Sequence, residues 1–232
     1  MQLPETNLLE GRDSKMPSKY RLRRVFKPLV QGLARALVKL GCTPNGATII
    51  VLASSIASVV FFIVVPLNWL AMMAYALVVF FTGVMDGVDG AIARTTGRKT
   101  RWGAVLDSTM DRYSDAVVFF TPGARELFRG DVISSSWLGL PVVGLIPLWA
   151  WAVVLVIGSY ITSYVRARAT LADPSLDVDV GMFGRSERLF IIVIASVCNV
   201  LPLAIVALAI LTNMTAIYRV MEARRGLPAG KT

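Results

Sequence analysis

Six apolar stretches, parted by short polar or basic interruptions, account for most of the chain after residue 45. They run over 46–65, 68–90, 104–122, 141–165, 187–200 and 202–219. Most reach the roughly 20 residues that an α-helix needs to cross a bilayer. The fifth and sixth are parted only by Pro202 and its neighbours; they fit one bent segment, but their combined length favours two short spans. Upstream the pattern changes. Leu22, Val25, Phe26, Leu29, Leu33, Leu37 and Leu40 recur at helical spacing, with Arg21, Arg24, Lys27, Arg35 and Lys39 among them. That pattern predicts an amphipathic helix on an anionic membrane surface, started or kinked by Pro28 and ended by Gly41-Cys42-Thr43-Pro44.

The chain therefore reads as an all-α integral membrane protein: six transmembrane helices preceded by an N-terminal amphipathic surface helix. Residues 1–16 are expected to be a disordered basic arm and 17–42 the juxtamembrane helix. Residues 43–222 form the six-helix domain and 223–232 a cytoplasmic tail.

Composition agrees. Hydrophobic residues make up 55% of the chain and mean hydropathy is +0.63, values few soluble domains reach. The net charge of +9 is unevenly placed. Nine Lys and Arg precede Pro44, four follow the second stretch, four lie between the fourth and fifth, and four close the chain. All of these fall on one side of a six-span arrangement. Arg125 and Arg129 fall on the other, and Arg112 sits within the third span. The positive-inside rule then puts both termini in the cytoplasm. A multi-pass cell-membrane protein is expected, with the bilayer and no nucleic acid as its partner. No cleavable signal peptide is expected, because some forty polar and basic residues come first. Cys42 and Cys198 fit no metal or redox spacing, and the sequon at Asn213 lies within an apolar stretch. Histidine is absent, so a general base must be a carboxylate or, less suitably, a Lys or Tyr.

Against this apolar background stands Asp86-Gly87-Val88-Asp89-Gly90-Ala91-Ile92-Ala93-Arg94, followed by Gly103, Asp107 and Asp111. Ionised carboxylates beside membrane spans are expensive and need a reason. Asp86 and Asp89 are three apart and Asp107 and Asp111 four apart, so on a helix each pair shares a face. Two helix ends brought together would gather four oxygen donors, which suits hard ions such as Mg²⁺ or Mn²⁺. The alternative is a pair of solvated helix ends joined by a glycine turn.

The run from Asp86 to Asp111 meets the pattern D-x2-D-G-x2-A-R-x8-G-x3-D-x3-D without a gap. It resembles the signature of the CDP-alcohol phosphatidyltransferases, a family of integral membrane enzymes. The resemblance implies two Mg²⁺ ions held by Asp86, Asp89, Asp107 and Asp111, with Asp86 and Asp107 bridging both. It also implies that Asp111 takes the proton of the attacking alcohol. It assigns Gly90, Arg94 and Thr100 to the CDP moiety. Thr43-Pro44-Asn45-Gly46-Ala47-Thr48 is similar to the family's opening of the first span, which places Asn45, Gly46, Ala47 and Thr48 beside the nucleotide. On its own that segment is only a helix start with a Thr cap and a first-turn proline. Relatives are homodimers, and the resemblance implies the same here.

The acceptor alcohol is read from two further stretches. Leu106-Asp107-Ser108-Thr109-Met110-Asp111-Arg112-Tyr113-Ser114-Asp115 resembles the branch of the family that uses inositol phosphate. Ser163-Tyr164-Val165-Arg166-Ala167-Arg168-Ala169 and Gly184-Arg185-Ser186-Glu187-Arg188-Leu189 resemble two other segments of that branch, although Gly184 stands where the branch often has glutamate. Guanidinium forks match phosphate oxygens, so Arg166, Arg185 and Arg188 are expected on the acceptor phosphate, with Glu187 orienting one of them. Flanking arginines set by topology alone are the competing reading. The expected reaction is transfer of a lipid-phosphoryl group from a CDP-lipid, diacyl or archaeal diether, to inositol 1-phosphate. The same reaction on glycerol 3-phosphate is one alternative; an ion-coupled transporter, with its intramembrane carboxylates, is an alternative of another class.

Overall fold

A computed structural model describes residues 19–130, 146–176, 178 and 184–227. The side chains of 19–25 are outside that description, as are the expected disordered arm at 1–16, the first residues of the fourth apolar stretch, Asp177, Asp179 and the end of the tail. Among the described residues the fold is wholly helical. In chain order the helices are α1 (Lys19–Lys39), α2 (Pro44–Val64), α3 (Trp69–Met85), α4 (Val88–Thr95), α5 (Arg101–Arg129), α6 (Leu148–Ala172), α7 (Arg185–Val197) and α8 (Leu201–Gly226).

Local chemistry explains most boundaries. Helix α1 passes through Pro28, so that residue neither starts nor breaks it. It stops in a Schellman turn: Gly41 takes a left-handed φ of 77°, its N–H reaches the Val38 carbonyl, and the Cys42 N–H reaches Leu37. Thr43 then caps α2 by accepting the Gly46 N–H, with Pro44 in the first turn. Asn68 caps α3 and Thr100 caps α5 in the same way. Between α7 and α8 a second Schellman turn forms on Asn199, which adopts φ 55°. The fifth and sixth stretches are therefore two helices.

The second apolar stretch is not one helix. It breaks at Asp86 and Gly87, and α4 follows as a separate eight-residue helix. The third continues well past residue 122. Pro122 is accommodated inside α5, which runs on to Gly130 in the left-handed region. Arg125, expected in a loop, is instead buried in α5 at 1% exposure. Its guanidinium donates to the carbonyls of Phe62 and Val65, the latter at 2.7 Å, and lies over the Phe62 ring. These are carbonyls that the end of α2 would otherwise leave unsatisfied.

Among the described residues, four stretches are long and apolar enough to cross a membrane: Pro44–Val64, Trp69–Thr95, Leu148–Ala172 and Leu201–Gly226. Helix α5 is long but carries charged residues toward both ends, with its longest uncharged run over 116–124. Helix α7 has 13 residues, about 20 Å of helix against a hydrocarbon core of about 30 Å.

The principal core joins α2, α3, α5, α6, α7 and α8 through Phe62, Tyr75, Val118, Phe119, Leu155, Ile192 and Ile205. A smaller cluster of Ala34, Ala47, Val51, Met85, Val88 and Ile92 seats α1 against α2 and α4. The first core fixes α5 to α6 and α7, and the second fixes α4 to the start of α2. The motif residues lie where these two assemblies meet.

Candidate active site

Asp86 ends α3 and Asp89 lies in the first turn of α4. Asp107 and Asp111 stand one turn apart on α5. The turn at Gly87 admits close packing, since a Cβ there would lie 3.3 Å from the Val30 side chain of α1. Carboxylate oxygens of Asp86, Asp107 and Asp111 come within 4.8 Å of one another. Asp89 is offset toward α2. It accepts a hydrogen bond from the Thr48 hydroxyl at 3.1 Å and another from the Gly90 N–H, and its carboxyl faces that of Asp107.

Two observations fit this set to a divalent cation. Oδ1 of Asp107 is buried with no hydrogen-bond partner, an orphaned acceptor among acids. The guanidinium of Arg185 bonds Asp86 and approaches Asp111 at 3.0 Å, so positive charge is drawn to this point. Clustered carboxylate oxygens without nitrogen or sulfur donors suit Mg²⁺ or Mn²⁺.

Asp107 borders two cavities. One, of about 200 Å³, is lined by Asp86, Asp107 and Asp111 together with Arg166, Arg185 and Arg188. The other, of about 270 Å³, is lined by Asn45, Thr48, Asp89, Gly90, Arg94 and Thr100 as well as Asp107. Helix α6 supplies Arg166 and the first turn of α7 supplies Arg185 and Arg188. The second cavity is made by the starts of α2 and α5 and by α4. Arg94 folds back over Gly90, where a Cβ would meet its Nη1 at 3.3 Å. Gly103 lets α5 start close to α2, since a Cβ there would lie 2.9 Å from Thr100 Oγ1 and 3.5 Å from Asn45 Oδ1.

Gly46 and Ala47 do not line either cavity. Gly46 gives its N–H to the Thr43 cap, and Ala47 is fully buried against α1 and α4. Glu187 borders the first cavity, but the carboxylate that grips Arg185 is Asp115, 2.7 Å from Nε. Arg188 is buried; it donates to Ser159 at 3.0 Å and lies over the Phe119 ring.

Arg219, at the end of the sixth apolar stretch and not expected in the site, is within α8. It is buried, donates to the Thr162 carbonyl at 3.0 Å and lines the first cavity. Thr212, Thr215 and Arg219 recur at helical spacing on one buried face of α8, a polar stripe that was available to read. Asp173 is a turn residue. Ser175 donates to it from both N–H and hydroxyl, which holds its carboxyl below the usual carboxylate range.

Comparison with known proteins adds independent support. The chain is 36% identical over 211 residues to the archaetidylinositol phosphate synthase of Pyrococcus horikoshii, covering 90% of this chain and 98% of that one. The fold is similar to crystal structures of Mycobacterium tuberculosis phosphatidylinositol phosphate synthase. The complex of that enzyme with manganese and citrate gives a TM-score of 0.65 at 29% identity, covering 84% of this chain and 88% of the other. Its form with CDP-DAG bound gives 0.65 at 28%, covering 84% and 94%. The family model described as CDP-alcohol phosphatidyltransferase matches residues 42–221. With the full motif gathered around one acidic centre, the chain belongs to the CDP-alcohol phosphatidyltransferase family.

Proposed function

We propose that this enzyme transfers the lipid-phosphoryl group of a CDP-lipid to inositol 1-phosphate and releases CMP. The observation that carries this reading is the position of Asp107, which borders both the cavity bearing the CDP-motif residues and the arginine-lined cavity. A donor on one side and a phosphorylated acceptor on the other would meet at the acidic wall. The relatives named above support the choice of acceptor.

Asp86, Asp89, Asp107 and Asp111 hold the cation site. When bound, two Mg²⁺ ions, or Mn²⁺ in their place, neutralise the diphosphate and the charge that develops on the leaving group. Asn45, Thr48, Gly90, Arg94 and Thr100 receive the CDP end, with Gly46 and Ala47 setting the backbone of the α2 start. Arg94 offers a planar fork to the diphosphate. Arg166, Arg185 and Arg188 receive the acceptor phosphate. Asp111 accepts the hydroxyl proton, the acceptor oxygen bonds to the lipid-bearing phosphorus, and the bond from that phosphorus to CMP breaks. No fixed position of the motif is a Ser, Cys or His, which supports direct attack.

In this reading α2, α3 with α4, α5, α6, α7 and α8 are the six spans, the shorter ones admitted by local thinning of the bilayer and snorkelling of their flanking residues. Helix α1 lies along the inner leaflet, its basic residues against anionic head groups. The termini and the site face the cytoplasm, and two copies form a homodimer.

The test is CMP release by purified protein with Mg²⁺ and a CDP-lipid, as diacyl and as diether, adding inositol 1-phosphate, glycerol 3-phosphate, free inositol or serine singly. Release only with inositol 1-phosphate supports the reading. Release with another acceptor alone keeps the metal centre and discards the acceptor.

A further inference from the structure

Asp115 has no place in the reaction described so far, yet it is the most deeply buried acid of the site at 1% side-chain exposure. It stands on α5 one turn beyond Asp111, on the side facing α7. Its Oδ1 accepts Nε–H of Arg185 at 2.7 Å, and its Oδ2 is 4.0 Å from Nη2 of Arg188. The rest of the Arg185 fork is divided. Nη1 bonds Asp86 and approaches Asp111, while Nη2 is buried with no hydrogen-bond partner in a side chain that lines the arginine cavity. One guanidinium thus touches a carboxylate outside the cation site and two carboxylates of that site, and belongs to a side chain that lines the cavity they share with Arg166 and Arg188.

That geometry sets up a competition. Nη1 and a divalent cation would both be drawn to Asp86 and Asp111, and they repel each other. Binding of the cation must turn Nη1 away. A guanidinium without an anchor could then leave in any direction open to a long side chain. One pinned at Nε by a buried carboxylate can only turn about that bond, which keeps its two Nη groups at the cavity shared with Arg166 and Arg188. A planar fork makes this possible; an ammonium, with a single point of charge, could not hold Asp115 and serve a second anion at once.

We propose that Asp115 is a positioning residue: it pins Arg185 so that one guanidinium is the counter-cation of Asp86 and Asp111 and, once a divalent cation takes that place, a ligand for the acceptor phosphate. This rests on the two-site reading given above and deepens it. Its consequence is positive coupling between cation and acceptor, carried by Arg185 and dependent on Asp115.

The test uses the full chain in lipid nanodiscs without CDP-lipid, so that nothing turns over. Calorimetry measures Mn²⁺ binding and then the affinity for inositol 1-phosphate, with and without saturating Mn²⁺. In the unsubstituted protein, Mn²⁺ is expected to tighten inositol 1-phosphate binding about tenfold or more. Asp115→Asn and Arg185→Lys are each expected to reduce that gain to about threefold or less. Arg185→Gln, which removes the internal counter-cation, is expected to bind Mn²⁺ more tightly by about tenfold. A gain that persists in Asp115→Asn or in Arg185→Lys would arise from direct cation–phosphate contact and overturns the proposal. So does unchanged or weaker Mn²⁺ binding in Arg185→Gln. If Asp115→Asn does not fold, Arg185→Lys decides, because it keeps the charge and loses only the fork. Inorganic phosphate is titrated in parallel. Arg185-dependent coupling with phosphate, but no binding of inositol 1-phosphate, sinks the acceptor assignment and leaves the role of Asp115 standing.

Discussion

Ser55 on α2 and Ser114 on α5 share a hydrogen bond of 2.6 Å, buried between two helices that each bring one part of the motif to the site. Ser55 lies seven residues beyond Thr48, and Ser114 lies three beyond Asp111. The Thr82 hydroxyl of α3, one turn before Asp86, is 3.5 Å from Ser55. The three helices that carry Thr48, Asp86 and Asp111 are therefore tied by hydroxyls just below the carboxylates. Ser55→Ala should lower stability by about 1 kcal/mol, the size of a buried interhelical hydrogen bond. Thermal unfolding in detergent would measure it, and no loss would mean that the tie is idle.

Arg125 predicts a larger effect in a place remote from the chemistry. Removing it strips hydrogen bonds from the Phe62 and Val65 carbonyls. Arg125→Met should cost about 2 kcal/mol or more, since charged donors to buried acceptors are worth more than neutral ones. Turnover per folded molecule should remain near normal at low temperature. A lost catalytic rate with unchanged unfolding would contradict this.

At the acidic centre, chelation of divalent cations should abolish CMP release, and Mg²⁺ or Mn²⁺ should restore it. Asp86→Asn, Asp107→Asn and Asp111→Asn should each reduce turnover by about a hundredfold or more while leaving membrane insertion intact. Substantial turnover in any of the three would remove that residue from its assigned role.

Glycine positions separate donor binding from helix capping. Gly90→Ala places a methyl 3.3 Å from the mobile tip of Arg94, so it should raise KM for the CDP-lipid several-fold without unfolding the protein. Gly103→Ala meets the capping hydroxyl of Thr100 at 2.9 Å, so it should also cost about 1 kcal/mol of stability through the α5 start. Equal behaviour of the two variants in both assays would argue against this division.

Local signals predicted the end of α1 and the start of α2. Gly41, Thr43 and Pro44 act through neighbours within a few residues, and their chemistry is visible in the residue order. The motif spacing likewise brought Asp86, Asp107 and Asp111 to one point. What stayed hidden depends on distant partners. The continuous apolar run across Met85 conceals the break before α4. Pro122, Arg125 and Arg129 imitate a loop, because nothing near Arg125 reveals the Phe62 and Val65 carbonyls that it satisfies. Asp115 and Glu187 could each pair with an arginine by sequence, and only the placement of Arg185 beside α5 selects Asp115.

The shared wall at Asp107 has a consequence for how such an enzyme can diversify. Residues proposed to meet the nucleotide come from α2, α4 and the α5 start, whereas those proposed to meet the acceptor come from α6 and α7, with Arg219 of α8 beside them. Changes in α6 to α8 can therefore revise which head group is installed while the activated-lipid half of the molecule stays as it is. Asp107 belongs to both halves and has no such freedom, so a lineage can trade one alcohol for another only by rebuilding around it.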